Sequence, residues 1–123
     1  MTSSKTTIEY THVCFSNDVV FNLTLDRYGS ETTWTIKNSS GVTVRSGGPY
    51  TDASTNIVQV LAPMNFNLPD GTYTFTINDA YGDGMVTSSS VVGSYTMYKD
   101  CGALLFSGNG DFTSSRSHTF SIP

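Results

Sequence analysis

The residues best suited to chemistry occur as two copies of one tetrad. Asp26-Arg27-Tyr28-Gly29 follows the alternating segment Phe21–Leu25, and Asp79-Ala80-Tyr81-Gly82 follows the alternating segment Tyr73–Asn78. Each copy continues into more acidic or turn-forming sequence, Ser30-Glu31 after the first and Asp83-Gly84 after the second. Asp26, Glu31, Asp79 and Asp83 are hard oxygen donors. Gly29, Gly82 and Gly84 allow tight backbone turns that aim carbonyls inward. Calcium takes 6–8 such oxygens in flexible geometry, whereas magnesium demands a stricter octahedron. Zinc prefers nitrogen and sulfur, and His12 and His118 lie far off in sequence. The expected chemistry is therefore a calcium site built by Asp26, Glu31, Asp79 and Asp83. The alternative reading is that Asp and Gly serve only as turn formers, with Tyr packing over the sheet end. An EF-hand is excluded, because the twelve-residue loop and its closing Glu are absent.

The loop aromatics suggest a second kind of contact. Tyr28, Tyr50 and Tyr81 fall in expected loops, and rings with one apolar face and one polar edge suit sugar rings. Trp34 shares a strand face with Thr32 and Ile36 and is assigned to the core. Cys14 and Cys101 form an even pair, 86 residues intervening. Bridged, they would close a long loop and stabilise by about 4–5 kcal/mol in a chain-entropy picture. Two buried thiols are the other reading. Catalysis is not expected. No Gly-x-Ser-x-Gly elbow is present, and His12 and His118 sit in alternating segments as structural histidines. Paired carboxylates for glycoside hydrolysis are conceivable among the same four acids, but a cation uses such a cluster more simply.

These loops need strands to hold them, and the composition supplies strands. The chain has 123 residues, 17 of them Ser and 18 Thr, with ten Val and five Ile against four Ala and six Leu. β-Branched side chains suit a pleated surface and lose rotamer freedom in helices. Period-2 alternation recurs at Ile8–Phe15, Phe21–Leu25, Thr32–Lys37, Val42–Arg45, Tyr73–Ile77, Tyr95–Tyr98 and His118–Ile122. Denser apolar runs lie at Asn56–Ala62 and Ala103–Phe106. Turn signals separate them, among them Asn38-Ser-Ser-Gly41, Gly47-Gly-Pro49, Pro69-Asp-Gly71 and Gly108-Asn-Gly-Asp111. The expectation is all-β: one antiparallel two-sheet β-sandwich over residues 1–123, jelly-roll-like, with eight or nine strands and a loose tail at 1–5.

Charge narrows the partners. Charged residues make up 13% of the chain, about half the usual share, and the formal net charge is −4. Six basic residues spread over the whole length form no phosphate-tracking stripe, so no nucleic-acid partner is expected. No apolar run approaches the roughly 20 residues of a membrane span, so no membrane insertion is expected. Met1–Glu9 is polar and has no signal-peptide character.

The string Asp26-Arg-Tyr-Gly-Ser-Glu-Thr-Thr-Trp34, then Gly41-Val-Thr-Val44, Gly47-Gly-Pro-Tyr50 and Leu68-Pro-Asp-Gly-Thr-Tyr-Thr-Phe-Thr-Ile-Asn-Asp-Ala-Tyr-Gly-Asp-Gly84, resembles the β-sandwich accessory modules of large secreted bacterial and algal proteins. The resemblance runs from about Phe21 to the C-terminus. It implies a non-catalytic role in attachment or recognition at an extracellular or cell surface, as part of a larger assembly. Such modules often carry Cys around the Pro-Asp-Gly turn and after the Asp-Gly. Here Asn67, Thr72 and Met85 stand in those places, so that cross-link is absent. The expected function is a calcium-stabilised module that binds carbohydrate or cell-surface glycan. The competing expectation is a virion structural protein, a capsid decoration or fibre component in symmetric copies, packed against neighbouring virion proteins.

Overall fold

The computed structural model describes residues 16–123 of the chain. Ile8–Phe15, with His12 and Cys14, and the expected tail at 1–5 lie outside the described residues. Cys101 is disulfide-bonded rather than a free thiol. The sequence has one other cysteine, Cys14.

The described residues form eleven strands: β1 (Asp18–Leu25), β2 (Thr32–Asn38), β3 (Thr43–Gly47), β4 (Gln59–Val60), β5 (Met64–Asn67), β6 (Gly71–Asp79), β7 (Val86–Ser88), β8 (Val91–Val92), β9 (Ser94–Lys99), β10 (Leu104–Asn109) and β11 (Ser115–Ile122). All pairings are antiparallel. One sheet runs β10-β9-β1-β4, with β5 also on β1; the other runs β11-β6-β2-β3. A small β7-β8 ribbon stands apart. The protein is thus an all-β sandwich. The chain crosses between the two large sheets from β1 to β2, β3 to β4, β5 to β6, β6 to β9 and β10 to β11. Among the described residues no helix is long and apolar enough to cross a membrane.

Alternation maps directly onto burial where a strand lies between two neighbours. In β6, Tyr73, Phe75, Ile77 and Asp79 face inward while the intervening Thr and Asn residues face outward. In β1, Val19, Phe21, Leu23 and Leu25 are buried; in β2, Thr32, Trp34 and Ile36; in β9, Tyr95, Met97 and Lys99. The inward rows meet as an aromatic core. Phe75 of one sheet lies 5.3 Å from Phe21, 5.4 Å from Tyr95 and 4.6 Å from Phe106 of the other, ring centre to ring centre. Trp34 is in the core as expected, 4.9 Å from Phe21. His118 joins this layer: its ring stacks on Phe106 at 4.9 Å, and its Nε2 shares a 2.6 Å hydrogen bond with the Tyr95 hydroxyl. Burial, with the charge of Arg116 adding to it, lowers the His118 pKa and so disfavours the charged ring.

The run Asn56–Ala62 behaves differently from its composition. Only Gln59–Val60 is strand, and Ile57, Val58 and Val60 are exposed. β4 and β5 pair with the same side of β1, Val60 with Thr24 and Met64 with Phe21. Pro63 lies between them, and a residue without an N–H interrupts a ladder. One edge therefore appears as two short strands. This split and the short β7 and β8 take the count above the expected eight or nine.

Candidate functional site

Asp26 and Asp79 each sit where a core-facing row ends. Leu25 is the last residue of β1, and Asp26 follows it; Asp79 closes β6. These strands belong to opposite sheets, and the two loops meet at one end of the sandwich. The Ala80 N–H donates to the Glu31 carbonyl at 2.9 Å, joining the second tetrad to the first. Both tetrads open with the same local device. The Tyr28 N–H donates to Asp26 Oδ1 at 3.1 Å, and the Tyr81 N–H donates to Asp79 Oδ2 at 3.1 Å. These are Asx turns, in which a short carboxylate holds a backbone N–H two residues on.

Beyond that turn the copies diverge. The first passes through one turn of 3-10 helix, Gly29–Glu31, which presents Glu31. Gly29 is required by close approach and not by an unusual φ: a Cβ there would lie 2.7 Å from the Thr51 carbonyl oxygen. The second copy places Asp83 between Gly82 and Gly84, at φ of 81° and 66°. Those left-handed conformations favour glycine. They curl the loop so that the Asp83 N–H also donates to Asp79 Oδ2, at 2.9 Å.

The result brings Glu31, Asp79 and Asp83 together. One carboxylate oxygen from each lies within 4.8 Å of the others. Asp26 is not in this set. It is 2% exposed, and both its oxygens are engaged: Oδ1 by Tyr28, and Oδ2 by the Thr87 hydroxyl at 3.0 Å. Asp79 is 6% exposed, and its Oδ1 is buried with no hydrogen-bond partner. Thr32, its direct neighbour across the β2–β6 ladder, also has a buried hydroxyl oxygen without a partner.

The electrostatics match the crowding. Burial, then the charges of Asp79 and Asp83, raise the Glu31 pKa to about 7. Burial and the neighbouring Asp79 raise Asp83 as well. Burial raises Asp26 against the opposing hydrogen bonds of Thr87 and Tyr28. Two carboxylates at such a distance repel by about 3–4 kcal/mol at an effective dielectric of about 20. A buried oxygen left unpaired costs about 1–3 kcal/mol. A cation relieves both; a proton shared between Asp79 and Glu31 or Asp83 does so only at a pH where one of these acids stays protonated. The donor set is all oxygen, which suits calcium or magnesium and not zinc.

An open depression of about 630 Å³ lies over these acids, lined by Tyr28, Ser30, Glu31, Asp52, Tyr81 and Asp83. Tyr81 stands 80% exposed at its wall, and Tyr28 is 38% exposed beneath the Arg27 guanidinium. Tyr50 does not line it. The Trp34 Nε1–H donates to the Tyr50 hydroxyl at 2.8 Å, and the ring packs against the core. Asp52 and Thr87 were not singled out by sequence. Asp52 accepts the Ser30 N–H at 2.9 Å from 22 residues away, and no local pattern marks such a contact.

No protein-family model, curated protein or solved structure matches this chain.

The different settings of Asp26 and Asp79 separate their roles experimentally. Asp26→Ala removes a carboxylate that ties the end of β1 to β7 and leaves the Thr87 O–H and the Tyr28 N–H without their acceptor, while the Thr87 oxygen still accepts the Arg27 N–H. The expected loss is about 1–3 kcal/mol in chemical denaturation, equal with calcium and with chelator. A loss seen only in calcium would make Asp26 a ligand.

Proposed function

We propose that this protein is a non-catalytic recognition module whose loop end binds a calcium ion and, beside it, carbohydrate. The observation that carries the metal half is the buried, unpartnered Asp79 Oδ1 beside Glu31 and Asp83. Glu31, Asp79 and Asp83 are the proposed ligands, and the ion's role is to join the loop after β1 to the loop after β6. The sugar half rests on Tyr28 and Tyr81 flanking the same depression. A surface setting, extracellular or on a larger assembly, fits this reading and the resemblance of the motif string to secreted accessory modules. The repeated crossings between sheets support a jelly-roll assignment.

The test is a glycan array probed in calcium and in chelator, followed by Tyr81→Ala. The expected result is a calcium-dependent hit whose affinity falls about tenfold in the variant, equivalent to about 1.4 kcal/mol of ring stacking. An array with no calcium-dependent hit sinks the carbohydrate half.

One observation favours a second reading, a virion or other surface component assembled in symmetric copies. Ile57, Val58 and Val60 expose apolar surface along the short β4 edge, Val60 to 76%. Edges of this kind invite pairing with another chain. Light scattering separates the readings: a closed oligomer supports assembly, and a monomer at high concentration opposes it.

A further inference from the structure

The calcium reading leaves the ion incompletely surrounded, and the open side has a definite character. Glu31 and Asp83 can each give two oxygens. Asp79 can give only Oδ1, because Oδ2 already accepts the N–H groups of Tyr81 and Asp83. That is fewer than the 6–8 oxygens calcium takes, and fewer still where a carboxylate binds through one oxygen. The missing positions face the depression, since Glu31 and Asp83 line it together with Ser30, Asp52, Tyr28 and Tyr81.

Resting on the calcium site proposed above, we infer that the ion is itself the sugar's anchor. It takes a neutral saccharide through two adjacent hydroxyls, with the ring's apolar C–H face on Tyr81 and the acidic rim turning anionic sugars away. Adjacent hydroxyls are hard, uncharged oxygens that can replace two waters on the ion without adding charge. The Tyr81 ring is exposed beside them, and aromatic faces suit the apolar side of a sugar. The charge balance selects among sugars. Glu31, Asp52 and Asp83 line the depression and the buried Asp79 sits beside Glu31 and Asp83, and one dication with the nearby Arg27 does not neutralise the four. A uronate or sialate therefore meets a net negative rim, and like charges in a partly desolvated site oppose binding. Asp52 sits on that rim, outside the proposed ligand set, with its carboxylate accepting the Ser30 N–H.

The experiment is calorimetry on the intact protein below its chelator melting temperature, first with calcium alone. The calcium-loaded protein is then titrated with the methyl glycosides of mannose, galactose and glucose, and with glucuronate. The expected result is a calcium isotherm, then binding of at least one neutral glycoside that weakens at least about tenfold in chelator. Glucuronate is expected to bind several-fold more weakly than methyl glucoside, and Asp52→Asn to narrow that gap. A calcium isotherm with no glycoside binding, or with binding equal in chelator, overturns the anchor and leaves the metal site standing. Glucuronate binding as tightly as the neutral glucoside overturns the charge selection. Absence of a calcium isotherm overturns the calcium reading beneath both.

Discussion

In millimolar calcium the protein is expected to melt on the order of 10 °C higher than in excess chelator. Binding to the native state alone stabilises by RT ln(1 + [L]/Kd), about 2.7 kcal/mol at a hundredfold excess over Kd. For a domain of this size that is a shift of many degrees. The Asp79→Asn variant gives the sharpest form of this result. Its amide oxygen still accepts the Tyr81 and Asp83 N–H groups, so the turn survives. Its amide nitrogen replaces the orphan oxygen and donates toward Glu31 and Asp83. The variant is expected to melt as high as wild type in chelator, or higher, and to show no calcium shift. Equal losses in calcium and chelator would reduce Asp79 to a turn former.

The same site dictates a pH dependence. Without metal, the Glu31 pKa is about 7 in the folded chain, above its ordinary value of 4.5. The folded state therefore holds this proton more tightly than the unfolded state does. The corresponding stability is present below about pH 4.5 and is lost as pH rises through about 7. Calcium bound at the proposed site would keep the carboxylate ionised and replace that proton. The calcium shift is therefore expected to grow from pH 5 to pH 7.5 in parallel melts, and Glu31→Gln to flatten the chelator slope near pH 7, leaving the part that Asp83 and Asp26 contribute. A calcium shift independent of pH would take Glu31 out of the site.

Phe75→Ala is expected to cost about 3–5 kcal/mol, the usual range for a fully buried aromatic. Phe75 is inaccessible to solvent, and its ring touches Phe21, Tyr95 and Phe106 across the sandwich and lies 6.1 Å from Trp34 within its own sheet. Truncation leaves a void where the two sheets meet, which its neighbours cannot close without moving strands. The loss is expected to be the same with and without calcium. Where the alanine variant is unfolded, Phe75→Leu retains most of the volume and is expected to cost about 1–2 kcal/mol in urea titration. A cost under about 1 kcal/mol for Phe75→Ala would contradict the core assignment.

The strands most legible in the sequence are those with a neighbour on each side. Tyr73, Phe75 and Ile77, or Phe21, Leu23 and Leu25, alternate because one face meets the opposite sheet and the other meets water. Edges are less legible. Val58 and Val60 look like core residues by type, yet Pro63 and the short β4 leave them exposed, a consequence of position in the sheet that composition does not carry. The repeated tetrads are legible as strand-end turns, and the shared Asx geometry accounts for the repeat. What separates Asp26 from Asp79 is not local. Thr87, 61 residues away, occupies the second oxygen of Asp26, while Asp79 Oδ1 is left without a hydrogen-bond partner. Tyr50 shows the same limit: a loop position suggests exposure, but the Trp34 indole claims its hydroxyl.

The most direct measurement is a crystal structure grown in calcium, with anomalous data collected to identify the ion. The expected result is one calcium peak 2.3–2.6 Å from Asp79 Oδ1 and from carboxylate oxygens of Glu31 and Asp83. Waters are expected on the side facing Tyr28 and Tyr81. Clear density for the three side chains with no ion between them, at calcium concentrations well above millimolar, would contradict the calcium site and leave the loops as turns alone.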